Sequence, residues 1–185
     1  LALPEPSEGD LFFDIEGDPH AFDEGLEYLL GYADAEGAFR GLWALTPDEE
    51  RAQFEAFIDT VMERLDRWPA LHVYHYAAYE PTAVKRLAAR YATREEEVDR
   101  LLRGGVFVDL YRAVRQGLRA SVESYSIKKL EPLYLFEREV DLRAASSALA
   151  NFEAWLYLGG GDGADPLLKE IEEVPADFHA RYSVR

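Results

Sequence analysis

Cysteine is absent from the 185 residues. That excludes disulfides and thiolate metal sites, and it fits a reducing compartment such as the cytoplasm. Basic residues are scarce beside acidic ones, 20 Lys and Arg against 36 Asp and Glu, for a formal net charge of −16. Such a balance opposes a sequence-independent grip on a phosphate backbone through a basic face. It also keeps soluble molecules apart by self-repulsion. No apolar run reaches the length of a membrane-spanning helix, and no charged-then-apolar signal segment opens the chain. Internal repeats and low-complexity linkers are missing too.

What is present is ample core material. A hydrophobic share of 48% with 13% aromatics supports one domain with a buried interior. Residues 1–10, with two prolines and a Ser-Glu-Gly-Asp stretch, read as a lead-in, and 11–185 as a single domain. A first residue of Leu in place of Met points to a piece of a longer protein. Strands are expected at Leu11 to Glu16, Glu27 to Ala33 and Phe39 to Leu45, the last two joined by a turn at residues 34–37. Thr46-Pro47-Asp48-Glu49 is a capping box with proline at the first helical position. Phe54, Phe57, Ile58, Val61 and Leu65 continue that helix at helical spacing to about Asp66.

A fourth strand is expected over Leu71 to His75, and Glu80-Pro81-Thr82 opens the next helix. Thr93-Arg94-Glu95-Glu96 reads as a second capping box on a helix that ends at Gly104-Gly105. Val106 to Val108 is a short buried strand with Asp109 at its tip. Helices are expected over Leu110 to Leu118, Ser126 to Tyr134, Ser147 to Leu158 and Pro166 to Glu172, with Gly159-Gly160-Gly161 a connector and a further helix starting at Asp177. The order predicts an α/β domain: a mixed β-sheet, an antiparallel meander plus parallel strands, flanked by helices.

Asp14 and Glu16 sit two apart on the first strand, so both carboxylates leave one face at the strand's end, where Gly17 stops the apolar run. Holding two like charges together is costly unless a cation or hydrogen-bond donors offset it, which makes the pair a candidate metal site. Glu80 lies where a strand hands over to a helix, a usual place for ligand-facing groups in α/β sheets. A carboxylate favoured by the helix dipole is the alternative reading of Glu80. His75 is a candidate beside it, with a hydrogen-bonded core histidine as its alternative. Asp109 competes as a strand-tip acid, or caps the following helix. Asp18 and Asp23 follow in the loop. Arg112, Arg115 and Arg119, spaced as a helical stripe, and Lys128 and Lys129 are the local basic concentration, able to contact phosphates or to pair with the many acids. Tyr125, Tyr74, Tyr76 and Tyr79 either pack in the core or stack on bases.

Asp14-x-Glu16 resembles the first motif of the DEDD (DnaQ-like) 3′–5′ exonucleases on the ribonuclease-H-like fold. His75-x-x-x-Tyr79-Glu80 stands where that superfamily carries Asn-x-x-x-Phe-Asp. More narrowly, residues 9–19, His72 to Glu80 and Ser124 to Glu131 resemble the predicted RecB-family, YprB-like nuclease domain, a likeness spanning about residues 9–172. The resemblance implies two Mg²⁺ or Mn²⁺ ions, single-stranded DNA or RNA as substrate, and a fused or associated helicase. In its third motif an acid follows a Tyr on the last helix. Asp177 aligns with that acid after one deletion, the Tyr is absent, and His179 is the candidate to stand in for it. The resemblance therefore implies Asp14, Glu16, Glu80 and Asp177 as ligands. A non-cleaving module that guides nucleic acid or partners is the other implied outcome, since the third-motif Tyr is missing and residue 80 is Glu.

Overall fold

A computed structural model describes residues 3–136 and 142–157. Strand β1, Leu11–Asp18, follows the period-two rule of its sequence. Leu11, Phe13 and Ile15 are buried, while Phe12 and Asp14 are exposed on the opposite face. It runs two residues past the expected end, because a bulge between Glu16 and Asp18 lets Asp18 pair with Leu26. β2 (Leu26–Asp34) and β3 (Phe39–Trp43) complete the antiparallel meander. Their turn depends on Gly37 at φ +83° and on the Asp34 carboxylate, which accepts from Ala38 N–H at 2.8 Å.

Helix α1, Pro47–Arg67, starts as its sequence predicts: the Thr46 hydroxyl accepts from Glu49 N–H at 3.2 Å. Phe54, Phe57, Ile58 and Val61 are fully buried against the Leu11–Phe13–Ile15 face. Phe57 stacks on Phe13 with ring centroids 4.0 Å apart. At the far end, Arg64 and Arg67 lie over the Trp68 ring, and Arg64 Nε donates to Gly9 C=O at 3.1 Å, which docks the end of the lead-in onto α1.

β4 is shorter than expected, Val73–His75 in place of Leu71 to His75. Leu71 N–H turns back to Trp68 C=O at 2.9 Å, and the N–H of His72 goes to the Asp10 carboxylate at 2.8 Å, so of these two residues only the His72 C=O reaches β1, at Leu11 N–H. β4 pairs parallel with β1, and β5 (Phe107–Asp109) parallel with β4. The five strands run in the order β3-β2-β1-β4-β5, the mixed sheet of an α/β domain.

Helices α2 (Tyr79–Tyr91) and α3 (Glu95–Arg103) follow β4. The second capping box is not formed. Thr93 turns its hydroxyl to Glu55 at 2.8 Å, and Arg94, in the left-handed region at φ 54°, pairs with Asp59 at 2.6 Å, so two tertiary contacts to α1 displace the local cap. α4 is Leu110–Gly117. The single helix expected over Ser126 to Tyr134 is instead α5 (Ile127–Leu130) followed by a 3₁₀ turn, Glu131–Tyr134. Pro132 supplies no N–H for a continuing ladder. α6, Leu142–Tyr157, begins five residues before the expected Ser147, the alanines there being strong helix formers. Its Phe152 and Leu156 pack on Leu26, Tyr28 and Leu29, a second small core. The expected Gly159–Gly161 connector, the helix at 166–172 and the start at Asp177 lie outside the described residues. Among the described residues no helix is long and apolar enough to cross a membrane.

Candidate active site

Three carboxylates from two elements come together along β1, the central strand of the sheet. Asp14 and Glu16 leave the face of β1 that α1 does not cover. Glu80 stands in the first turn of α2 and is only 4% exposed. The handover that delivers it is strained. Ala77 has φ 80°, and its N–H is held by Asp109 Oδ1 at 3.1 Å. That same oxygen accepts from Tyr111 and Arg112 N–H at 2.9 and 3.3 Å. Asp109 is thus the cap of α4 and the brace of the handover, and its carboxylate is occupied by backbone.

The acids feel one another. Burial first, then the charges of Glu16 and Glu80 and a hydrogen bond shared with Glu80, push the Asp14 carboxyl up to about 7. Water still reaches Asp14, which is exposed on its strand face. Burial also raises Glu16, opposed by the cation of Lys128 and reinforced by Glu153 and Glu80. Both buried, His75 Nδ1 and Glu80 Oε2 are 3.5 Å apart, and neither atom has a hydrogen-bond partner. Two orphaned buried polar atoms beside an acidic cluster are an unbalanced arrangement in a protein interior.

Of the expected site residues, the fold therefore gathers Asp14, Glu16, Glu80 and His75, and brings Lys128 to Glu16. Lys129 instead pairs with Glu123 at 2.6 Å. Arg112 and Arg115 are exposed on α4, Arg115 lying over the Tyr111 ring at 5.6 Å. α4 ends at Gly117, so Arg119 leaves the expected helical stripe. Asp18 turns back on its own loop, accepting from His20 N–H at 2.8 Å, and Asp23 is exposed. Asp177 and His179 lie outside the described residues. Tyr79 does not pack in the core, being half exposed.

Two acids escaped the sequence reading. Glu27 on β2 is buried, paired with Arg86 and bonded to the Tyr79 hydroxyl. Glu153 on α6 lies near Glu16 and Asp18, and burial and Asp18 raise its carboxyl. The signal for each was a lone carboxylate inside an apolar run, Leu26-Glu27-Tyr28-Leu29 and Phe152-Glu153-Ala154-Trp155.

Among the described residues, no group of three or more His, Asp or Glu is drawn close enough to hold a metal ion as it stands. The donor chemistry nevertheless fits a hard divalent cation: carboxylate oxygens without thiolates, one of them, Glu80 Oε2, buried and unpartnered. A groove between α2 and α3, lined by Lys85, Ala88, Val98 and Leu102, shares no residue with the acids. A family model described as the RNase H superfamily matches residues 11–170. No curated protein matches the chain.

Proposed function

The chain belongs to the RNase H superfamily, and from that premise we propose that it is a divalent-metal-dependent nuclease of the DEDD, 3′–5′ exonuclease type, acting on single-stranded DNA or RNA. One observation carries this reading. Asp14 and Glu16 on β1 and Glu80 on α2 converge, and burial, with the charges of Glu16 and Glu80 added to it, lifts Asp14 to about 7. A fold holds carboxylates together at that cost where a cation is to be bound.

In this reading Asp14, Glu16 and Glu80 hold Mg²⁺ or Mn²⁺, and Asp177 is the fourth ligand. When bound, such ions activate a water and offset charge on the leaving oxygen of a phosphodiester. The chain's own groups do the rest. His75 backs Glu80 from the buried side, its Nδ1 3.5 Å from Oε2. Lys128, beside Glu16, meets the non-bridging oxygens of the phosphate. Arg112 and Arg115, with Arg119 beyond them, and Lys129 contact flanking phosphates. We further assign the domain to the RecB-family, YprB-like group, with cytoplasmic location and a helicase domain, fused or associated, as its partner.

The test is Asp14→Asn. Mg²⁺- or Mn²⁺-dependent degradation of single-stranded DNA or RNA should fall at least about a thousandfold, as removal of a group that stabilises reacting charge does, with an unchanged circular dichroism spectrum. Wild-type activity in the variant overturns the assignment. The absence of a tight three-residue cluster among the described residues favours a second reading, a non-cleaving module that binds nucleic acid. Calorimetry separates them, since a module shows no heat of Mn²⁺ binding.

A further inference from the structure

A buried carboxylate on β2 touches both segments that carry the acids. Glu27 is only 3% exposed. Toward β1 it lies on Gly17, in the bulge between Glu16 and Asp18. A Cβ at Gly17 would fall 2.8 Å from the Glu27 Cδ and closer still to Oε2, so only glycine admits the approach. Toward α2 the Glu27 carboxylate accepts from the Tyr79 hydroxyl, at 2.9 Å on Oε1 and 3.0 Å on Oε2, and it pairs with Arg86. Gly17 follows Glu16 in the chain, and Tyr79 precedes Glu80. One side chain therefore spans the gap between the two sources of the site.

Further along α2 the arrangement repeats. Tyr79, Arg86 and Arg90 stand at i, i+7 and i+11, one stripe of a helix. Arg90 reaches Glu50 at 3.0 Å, and Glu50, fully buried on α1, accepts from the Glu27 N–H. Arg90 also donates to Gly25 C=O at 3.1 Å, in the loop after β1. The sheet gives less help at this place. The parallel ladder of β4 on β1 ends at Phe12 opposite Tyr74, two residues short of Asp14. Ala83, Val84 and Leu87 bury α2 in the core, but apolar contact is non-directional and lets a helix slide or turn at small cost. A buried, hydrogen-bonded ion pair does not, since moving one partner leaves a charge uncompensated, and registry is the property such a pair is best placed to fix.

We propose that Glu27 is the positioning residue of the acidic site: by bridging Gly17 to Tyr79 and Arg86, it sets the place of Glu80 relative to Asp14 and Glu16 in which the three take a divalent cation together. This rests on the nuclease reading above. The oxygens of Glu27 are engaged by Tyr79 and Arg86, so it acts through Glu80 and not on the cation.

The experiment titrates the whole chain with Mn²⁺ by calorimetry, which needs no substrate. Glu27→Gln keeps the size of the side chain and removes its charge. Its Mn²⁺ affinity should fall about tenfold, the low end for groups that orient metal ligands, with an unchanged circular dichroism spectrum. Loss of a nearby negative charge would also weaken cation binding, and a thermodynamic cycle separates the two causes. In a Glu80→Gln chain, Glu27→Gln should change the affinity by less than about twofold, because the residue it positions is gone. Tyr79→Phe takes one donor from Glu27 and leaves the Glu27–Arg86 pair intact. It should weaken Mn²⁺ about threefold, again only while Glu80 is present, and it stands in if Glu27→Gln does not fold. Wild-type affinity in Glu27→Gln, or in Tyr79→Phe where that variant stands in, overturns the positioning role while leaving the nuclease intact. So does an equal loss with and without Glu80. A wild-type chain that shows no heat with Mn²⁺ removes the nuclease reading and the role of Glu27 with it.

Discussion

Asp14 is where single-residue chemistry has the largest reach. Its folded pKa of about 7 stands above the ordinary 3.8, so the folded state holds a proton that the unfolded chain releases. The stability this group contributes is complete below about pH 4 and is lost as pH rises through 7. In metal-free protein, Asp14→Asn should therefore be the more stable form at pH 8, by about 1–2 kcal/mol after discounting for water at the carboxylate. Urea unfolding at pH 5 and pH 8 measures it. Equal stability of variant and wild type at both pH values would contradict the raised value. Gly17→Ala makes a second residue-scale prediction. The Cβ collides with the Glu27 carboxylate, and a loss of about 1–3 kcal/mol in thermal unfolding is expected. Asp14 and Glu16 were legible because alternation on a strand is a local rule. Glu27 was not, since its contacts with Tyr79 and Arg86 lie 52 and 59 residues along the chain.

Among elements, α1 carries the frame. Phe57 has no exposed surface and stacks on Phe13, so Phe57→Ala should cost about 3–5 kcal/mol in denaturant unfolding. A loss under 1 kcal/mol would mean that α1 does not pack on β1 as described. The same helix places Glu50, fully buried and bonded to Arg90 at 3.0 Å, to Tyr91 and to the Glu27 N–H. Burial raises its carboxyl, while Tyr91 and Arg90 oppose the rise. Elements with a self-contained code were read correctly: Thr46-Pro47 as a start, Gly37 as a turn. The second capping box failed because Thr93 and Arg94 found better partners on α1, and the helix at Ser126 failed at its own proline. Local propensity gives way wherever a tertiary contact competes for the same group.

On the scale of the whole molecule, a net charge of −16 leaves few cations for a polyanion. Lys128, Lys129, Arg112, Arg115 and Arg119 are the ones the nuclease reading assigns to phosphates. Five contacts on a single strand give a slope of log affinity against log salt no steeper than about −3.5, measured by fluorescence anisotropy from 50 to 200 mM salt. A steeper slope would require basic surface beyond these residues. The sheet itself is joined unevenly. β1 and β2 pair through seven register positions, but β1 and β4 through only two, Leu11 with Val73 and Phe12 with Tyr74. The acids of β1 belong to the long-paired half, and Glu80 follows the short seam. One hydrophobic core runs beneath both halves of the sheet, so the short seam is a local weak point, and the amides of β4 and β5 should exchange with deuterium sooner than those of β1 and β2. A cation that takes oxygens from Asp14 and Glu80 would staple β1 to α2 across that seam, and slower exchange across β4 would report its arrival before any bond in a substrate is broken.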